Sequence, residues 1–395
     1  TPAELKKALK DVDLVLTSYG LLQRDSELLE SHDWQGLVID EAQAIKNPSA
    51  KQSQAARDLA RPKKNSRFRI ALTGTPVENR VSELWALMDF LNPRVLGEEE
   101  FFRHRYRMPI ERYGDLSSLR DLKARVGPFI LRRLKTDKAI ISDLPEKVEL
   151  SEWVGLSKEQ KSLYAKTVED TLDAIARAPR GKRHGQVLGL LTKLKQICNH
   201  PALALKEQGA SEDFLKRSVK LQRLEEILDE VMEAGDRALL FTQFAEWGKL
   251  LQDYLQRRWR SEVPFLSGST SKSERQAMVD RFQEDPRGPQ LFLLSLKAGG
   301  VGLNLTRASH VFHIDRWWNP AVENQATDRA YRIGQTNRVM VHKFITSGSV
   351  EEKIDRMIRE KSRLAEDIIG SGEDWLGGLE MGQLKELVSL EDNQA

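Results

Sequence analysis

The sequence has 395 residues, of which 40% are apolar and 31% charged, as is ordinary for a soluble protein of two to three domains. One cysteine, Cys198, excludes a disulfide framework and a multi-cysteine zinc site within the chain. No apolar stretch approaches the roughly 20 residues of a membrane span and no signal-peptide pattern is present, so we expect no membrane partner. The chain begins at Thr1 without a methionine, and we expect it to be part of a longer protein.

Strands and helices alternate between Asp13 and Thr75. The pattern predicts strands at DLVLTSYG, GLVIDEAQ and FRIALTGTP, and helices at LLQRDSELLES and SAKQSQAARDLA. Strands this apolar, separated by helices, predict a parallel sheet covered on both faces. Such open sheets bind ligands where their strands end, and polar residues stand at those points here.

Helical patterns replace the strands from about Val81 to Glu149. Between Glu100 and Lys138 there are eleven Lys or Arg residues against five Asp or Glu, which is the strongest basic bias in the chain. Two more helices are predicted at SKEQKSLYAKTVEDTLDAIARA and LGLLTKLKQICNHPALAL. The intervening segment from Arg177 to Gln186 is predicted to be a flexible basic loop.

The alternation returns at Lys220 and predicts a second, doubly wound α/β unit. Strands are predicted at RALLFTQF, VPFLSG, PQLFLLS, HVFHID and VMVHKFIT. Helices are predicted at KLQRLEEILDEVMEAG, GKLLQDYLQRRW, SERQAMVDRFQ and AVENQATDRAYR. A charged helix from Val350 to about Ile369 follows, and the last 20 or so residues are predicted to form a frayed acidic tail.

The strand GLVID ends on two adjacent carboxylates, Asp40 and Glu41. A strand-end aspartate can hold Mg²⁺ on the phosphates of a nucleotide, while the next glutamate orients an attacking water. Two surface acids that cap the next helix would give the same pattern. In LTGTP, the hydroxyls of Thr73 and Thr75 could couple a phosphate change to motion, although a plain strand-to-helix turn also explains them.

Two further segments carry groups suited to phosphates. In SLKAGGVGLNL, three glycines allow backbone to approach a phosphate chain, and Lys297 adds charge, so ATP or a nucleic-acid backbone fits, as does a structural turn. In QATDRAYRIGQ, a continuous helix would place Arg329 and Arg332 on one face, with Gln325 one turn earlier. Paired guanidinium groups suit a developing phosphoryl charge, although an exposed basic helix is the simpler alternative.

The order of these motifs resembles the Swi/Snf family of ATP-dependent double-stranded-DNA translocases, within helicase superfamily two. DEAQ corresponds to motif II, LTGTP to motif III, LLFTQF to motif IV, SLKAGGVGLNL to motif V and QATDRAYRIGQ to motif VI. FILRRLKTDKAIISDLPEK, LKQICNHP and DRWWNP resemble stretches specific to that family. The resemblance covers nearly the whole chain. It implies an α/β fold of two RecA-like parallel-sheet lobes, the first truncated at its N-terminus, with helical insertions between them.

The resemblance also implies residue roles. Asp40 would bind Mg²⁺, Glu41 would activate water, and Arg329 and Arg332 would be arginine fingers. ATP binding would involve Gln43, Gln325 and Gly300. We assign to coupling and DNA contact Thr73, Gly74, Thr75, Ser295, Lys297, Gly299, Asn304, Trp318, Arg132 and Arg133. Gln43 stands where many family members have histidine, which leaves the coupling of hydrolysis to DNA open.

The expected domains are residues 1–95, a first ATP-binding lobe; 96–219, helical basic insertions; 220–370, a second lobe; and 371–395, an acidic tail. No GxxxxGK[ST] loop is present, since the only Gly-Lys pairs are Gly181-Lys182 and Gly248-Lys249. We therefore expect this chain alone to hydrolyse almost no ATP.

The expected cofactors are ATP and Mg, and the expected partners are duplex DNA and other DNA-bound proteins. A prokaryotic cytoplasm is favoured over a nucleus. A strand-separating helicase and a non-catalytic scaffold that binds DNA or protein are the alternatives.

Overall fold

The computed structural model describes residues 2–10, 12–60, 68–74, 81–131, 133, 135, 144–177, 179–296, 302–365 and 381–391. They belong to two compact units: Thr1–Arg132 with Ala365–Gly372, and Arg133–Leu364 with Glu373–Ala395. Among these residues, no helix is long and apolar enough to cross a membrane.

The first unit contains two parallel strands, β1 (Gly36–Ile39) and β2 (Phe68–Ala71). An apolar cluster beneath them includes Leu22, Ile39 and Phe90. The α-helices of this unit are Pro2–Ala8, Tyr19–Arg24, Ser26–Glu30, Lys51–Leu59, Val81–Leu91, Glu99–Phe102, Met108–Tyr113 and Leu116–Val126, with 3₁₀ turns at Ala42–Ile45 and Gly127–Phe129 and a π-helical turn at Arg103–Arg107.

The second unit is built on a six-stranded parallel sheet in the order β3-β8-β7-β4-β6-β5. Its strands are β3 (Lys147–Val154), β4 (Ala238–Thr242), β5 (Phe265–Leu266), β6 (Leu291–Ser295), β7 (His310–His313) and β8 (Val339–Thr346). Its helices are Lys158–Arg177, Arg180–Asn199, Pro201–Leu205, Val219–Ala234, Ala245–Trp259, Lys272–Glu284, Pro320–Thr327, Val350–Ala365 and Met381–Val388, with a 3₁₀ turn at Phe214–Arg217.

Every residue of β4 and β6 is buried, as expected of central parallel strands covered on both faces. The helix Val219–Ala234 ends where Gly235 adopts a left-handed conformation, at φ 73°, which glycine takes without steric cost. The parallel α/β architecture predicted from the sequence is therefore confirmed.

Four local predictions are wrong. DLVLTSYG forms no strand: residues 12–18 are irregular, Leu14 and Leu16 are exposed, and a helix begins at Tyr19. The predicted basic loop is mostly helix, because Pro179 precedes a helix that begins at Arg180. The sheet includes β3, within the region predicted to be helical. The expected frayed tail contains the helix Met381–Val388, whose Leu384 and Val388 are fully buried.

Those differences bear on the expected domain limits. Contact density divides the chain after Arg132, and β3 joins the sheet of the second unit. The limits at residues 95, 219 and 370 remain predictions about function.

Candidate active site

The acid pair lies at the carboxyl end of β1, on the exposed surface of the first unit. Beyond the strand, the Leu72 N–H donates to Ile39 O (2.8 Å) and the Ala42 N–H donates to Leu72 O (2.9 Å). Glu41 lies between these bonds in a left-handed conformation, at φ 48°, although it is not a glycine. Backbone outliers of this kind cluster at functional sites, because the surrounding structure must hold them in place.

Side-chain hydrogen bonds join the acid pair to the LTGT segment. Gln43 donates from Nε2 to Glu41 Oε2 at 2.6 Å, and the Thr73 hydroxyl donates to Gln43 Oε1 at 2.9 Å. The Gln43 amide therefore uses both ends, one on each motif. We call Glu41, Gln43 and Thr73 the relay. The sequence motifs predicted the members of this group but not the bonds between them.

Tyr19 supports the same corner from the first helix after the irregular segment. Its hydroxyl donates to the backbone oxygen of Asp40 at 2.7 Å. Burial raises the pKa of Tyr19 to about 12, and the charges of Asp40 and Glu41 act in the same direction. The phenol therefore stays protonated and remains a donor at neutral pH.

The acid pair fits a shared magnesium ion better than a metal site built from protein alone. Among the described residues, no cluster of three His, Cys, Asp or Glu side chains could hold a metal ion. Mg²⁺ commonly takes one or two carboxylates and completes its coordination with phosphate oxygens and water. The exposed Asp40 is a hard oxygen donor at a strand end, and its Oδ1 is oriented by the Glu41 N–H at 2.9 Å.

In the second unit, β6 ends at Ser295, which is buried, and Asn304 lies exposed after the glycine-rich segment of the sequence. Gly74 in the first unit lies at an exposed bend with open space around its α-carbon. The other glycine-turn and coupling residues of the sequence prediction, Thr75, Arg132, Lys297, Gly299 and Gly300, lie outside the described residues.

The expectation of one continuous helix through Arg332 is wrong. The helix Pro320–Thr327, called the site helix below, includes Gln325 but ends before either arginine. The Leu305 N–H donates to the Arg329 carbonyl at 2.9 Å, which draws the chain out of helical geometry. Arg329 is buried and Arg332 is exposed, so the two guanidinium groups do not share a helix face.

The RIGQ segment is held by its glutamine. Gln335 is buried and donates from Nε2 to the carbonyl oxygens of Ala308, at 2.9 Å, and Ala330, at 3.1 Å. Gly334 takes φ 98°, two residues after the exposed Arg332. The turn thereby presents Arg332 to solvent from a fixed base.

The motif between β7 and the site helix is more buried than the sequence suggested. Trp318, assigned to the cleft or DNA-tracking surface, is 7% exposed and packs in an apolar cluster with residues such as Leu194 and Ile354. The Lys195 ammonium lies over its ring, 5.1 Å from the centroid. Trp318 therefore anchors this loop from within the core.

Asp315 is the centre of a buried hydrogen-bond group that sequence reasoning missed. Its carboxylate accepts from Thr242 Oγ1 (2.6 Å), Asn199 Nδ2 (3.0 Å), and the backbone and side-chain nitrogens of Gln243 (3.0 and 2.9 Å). These residues come from CNHP, FTQF and DRWWNP, so three separate motifs meet at one carboxylate. Polar residues within otherwise apolar segments were the available signal.

The basic stretch is partly neutralised by its own acids. Arg105 lies 2.9 Å from Asp121, and Arg107 lies 3.2 Å from Glu111. Arg133 is exposed. The excess of positive charge in the sequence therefore overstates the charge that this surface offers to a phosphate backbone.

The all-parallel sheet, with polar groups at the carboxyl ends of its strands, is an α/β fold of the kind that binds ligands at that edge. Residues 3–203 match the family profile described as "SNF2-related domain", and residues 219–334 match "Helicase conserved C-terminal domain". The chain belongs to the Swi/Snf family.

Individual relatives agree with that placement. The chain is 47% identical over 381 residues to the putative ATP-dependent helicase/translocase YwqA of Bacillus subtilis, covering 96% of this chain and 40% of that protein. It is 35% identical over 368 residues to the ISWI chromatin-remodeling complex ATPase ISW1 of Saccharomyces cerevisiae, covering 91% and 32%. The chain thus spans less than half the length of these relatives.

A solved structure also matches. The Sulfolobus solfataricus SWI2/SNF2 ATPase core in complex with dsDNA superposes with a TM-score of 0.56 at 44% identity, covering 97% of this chain and 78% of that chain. The sequence-based recognition of the family and the RecA-like fold is confirmed.

Proposed function

We propose that this chain is the motor portion of an ATP-dependent translocase that moves along double-stranded DNA. The observation that carries the proposal is the relay, since it links the group placed to act on a nucleotide with the LTGT segment by two hydrogen bonds. Support comes from the relatives, one named as a helicase/translocase and one solved with duplex DNA. Because one of these relatives is bacterial, we expect the protein to act in a prokaryotic cytoplasm.

The chemistry of the first unit follows from its carboxylates. Mg²⁺ bound with ATP would neutralise phosphate charge and polarise the phosphoryl group. Asp40 would hold the metal. Glu41 would accept the hydrogen of a water and orient its lone pair, while the Gln43 amide fixes the orientation of the Glu41 carboxylate through Oε2.

The second unit would supply positive charge and polar contacts. The exposed Arg332 and the buried Arg329 would stabilise negative charge that develops on phosphate oxygens, and Gln325 would contact the nucleotide. Gly300 would approach the same ligand. Backbone and side-chain groups assigned to DNA contact would bind its phosphates. The affinity for duplex DNA should therefore fall steeply as the salt concentration rises and depend little on base sequence.

The test is ATP hydrolysis with and without duplex DNA, on the 395-residue chain and on the full-length gene product. Because these residues include no GxxxxGK[ST] loop, we expect little hydrolysis by the chain alone and DNA-stimulated hydrolysis by the gene product. A gene product that hydrolyses no ATP with DNA present would favour a scaffold.

Duplex binding at a series of salt concentrations accompanies that assay. A fall in the affinity for duplex DNA with rising salt supports contacts to phosphates. An affinity that does not change with ionic strength contradicts such contacts.

A further inference from the structure

The site helix is held by side chains at three points. Asn319 accepts from the Ala321 N–H at 2.9 Å and caps the start. Near the end, His313 Nε2 lies 2.8 Å from the Thr327 hydroxyl. Between these contacts, Glu323 points into the interior of the second unit and is 1% exposed.

A buried arginine meets this glutamate. Arg316 donates from Nε to Glu323 Oε1 at 3.0 Å, and its Nη1 also pairs with Asp355. The Trp317 N–H donates to the same Glu323 oxygen at 2.8 Å. Arg316 and Asp355 are themselves buried, and Asp355 lies on the helix Val350–Ala365. We call Arg316, Glu323 and Asp355 the triad.

Arg316 and Glu323 stay charged in spite of their burial. Burial acts to raise the pKa of Glu323, but the Arg316 charge, together with hydrogen bonds from Arg316 and the Trp317 N–H, holds that pKa below the ordinary value. Burial acts likewise to lower the pKa of Arg316, but Glu323 and Asp355 raise it. Arg316 and Glu323 therefore remain an ion pair at neutral pH.

Stability alone is a poor explanation for such a group. Removing charges from water costs several kcal/mol per ion, so apolar side chains of similar volume often serve stability as well or better. Apolar side chains would let the helix rotate, because dispersion contacts depend little on direction. Two hydrogen bonds to one carboxylate oxygen depend strongly on angle and therefore hold the helix in one orientation. Glu323 is two residues before Gln325, so its grip fixes the rotation of the helix that presents Gln325 and leads to Arg329.

We propose that Arg316, Glu323 and Asp355 are positioning residues, which set the rotation of the site helix and so place Gln325 and the following arginines for ATP hydrolysis. The inference rests on the proposed function for its effect on catalysis. Its structural part, the orientation of the site helix, stands on the hydrogen bonds of this unit.

The decisive variant replaces the triad without emptying its volume: Arg316→Met, Glu323→Gln and Asp355→Leu together. The glutamine keeps an acceptor for the Trp317 N–H. We expect the triple variant to fold with a thermal midpoint equal to or above that of the parent, because the cost of burying charge is gone. In the full-length gene product, kcat for DNA-stimulated ATP hydrolysis should fall at least about tenfold, a larger factor than the rise in KM for ATP that a displaced Gln325 would cause, as for a misplaced catalytic group.

The matched control disrupts another bidentate ion group of the same unit. Arg217 bonds both Glu159 and Glu207, and neither lies on the site helix. Arg217→Met with Glu207→Gln should leave kcat within about twofold. A triple variant whose kcat equals that of this control overturns the proposal.

Backbone hydrogen exchange on the 395-residue chain gives a reading that needs no activity. In the triple variant, the backbone amide hydrogens of residues 321–327 should exchange faster than in the parent, relative to those of β4. Unchanged exchange at these residues also overturns the proposal. Loss of DNA-stimulated hydrolysis in the parent itself would instead contradict the proposed function, and the exchange result would still decide the triad.

Discussion

The two units hold their candidate groups in opposite ways. In the first, Asp40 and Glu41 are exposed and are oriented by neutral hydrogen bonds, Asp40 from the Glu41 N–H and Glu41 from the Gln43 amide. In the second, Gln325 sits on a helix gripped by buried charges. Carboxylates that bind a metal ion and water must be accessible to solvent, whereas residues that only orient other side chains can be buried in the core. Substitutions in the exposed acid pair should therefore abolish chemistry, and substitutions in the buried triad should disturb orientation.

The largest effect expected is that of Glu41→Gln. The amide keeps the size of the side chain and can still accept a hydrogen bond, but it has no negative charge and cannot take a proton from water, so hydrolysis by the gene product should fall about 10²- to 10⁴-fold. ATP affinity and the thermal midpoint should stay close to the parent values. Steady-state hydrolysis and nucleotide-binding titration measure this, with the exposed surface acid Glu27, changed to glutamine, as the control. Full activity of Glu41→Gln would remove the acid pair from the mechanism.

Substitutions of the two arginines should differ in their effect on stability, because Arg329 is buried and Arg332 is exposed. Arg332→Ala should lower hydrolysis about 10³-fold, as for loss of an arginine finger, with little change in thermal midpoint since the side chain is exposed. Arg329→Ala should lower both activity and midpoint, because it removes a buried group. Arg338→Ala, another exposed arginine, serves as the control. Equal midpoint losses for both arginines would contradict the structural distinction.

A smaller effect is expected at the relay. Thr73→Val removes the bond to Gln43 at nearly constant volume, and such a bond is worth about 1 kcal/mol. Hydrolysis without DNA should change less than about threefold, while stimulation by DNA should drop about fivefold. Hydrolysis rates over a DNA titration measure both numbers. Stimulation that persists in Thr73→Val would show that the relay does not transmit the DNA signal.

The smallest effect expected is on stability in mild acid. Burial lowers the pKa values of His200 and His313 to about 4, below the roughly 6.5 of an exposed histidine. His200 is also fixed in its neutral form, since Nδ1 accepts from the Ala202 N–H. The unfolded chain thus binds more protons between about pH 6.5 and 4, so stability is fully present above pH 6.5 and is lost as pH falls.

Urea unfolding at pH 7.5 and pH 5 measures that loss. His200→Gln should reduce the pH dependence and the exposed His184→Gln should not. Identical pH dependence in all three chains would contradict the assignment.

Some features could be predicted from the sequence because they interrupt a local pattern. GLVID stops on two acids, so the site of the first unit was predicted at Asp40 and Glu41 and the strand was found there. AVENQATDRAYR has no helix breaker, yet the helix ends at Thr327, because Leu305 bonds the Arg329 carbonyl from a distant segment. Long-range backbone bonds of this kind leave no local trace in a sequence.

Buried polar groups were hidden for the same reason. Asp315, Arg316 and Glu323 look like surface charges in the sequence. Their partners include residues from distant segments, since Asn199 and Thr242 bond Asp315 and Asp355 pairs with Arg316. DLVLTSYG shows the converse, since its apolar residues suggested a strand, but a strand forms only with a pairing partner.

Displacement of a third strand from a DNA triplex, by the full-length gene product with ATP, would test translocation most directly. We predict that the third strand is released, that the duplex beneath it remains paired, and that Glu41→Gln abolishes release. Separation of the duplex strands would favour a helicase instead, and failure to release the third strand while ATP is hydrolysed would contradict translocation on duplex DNA.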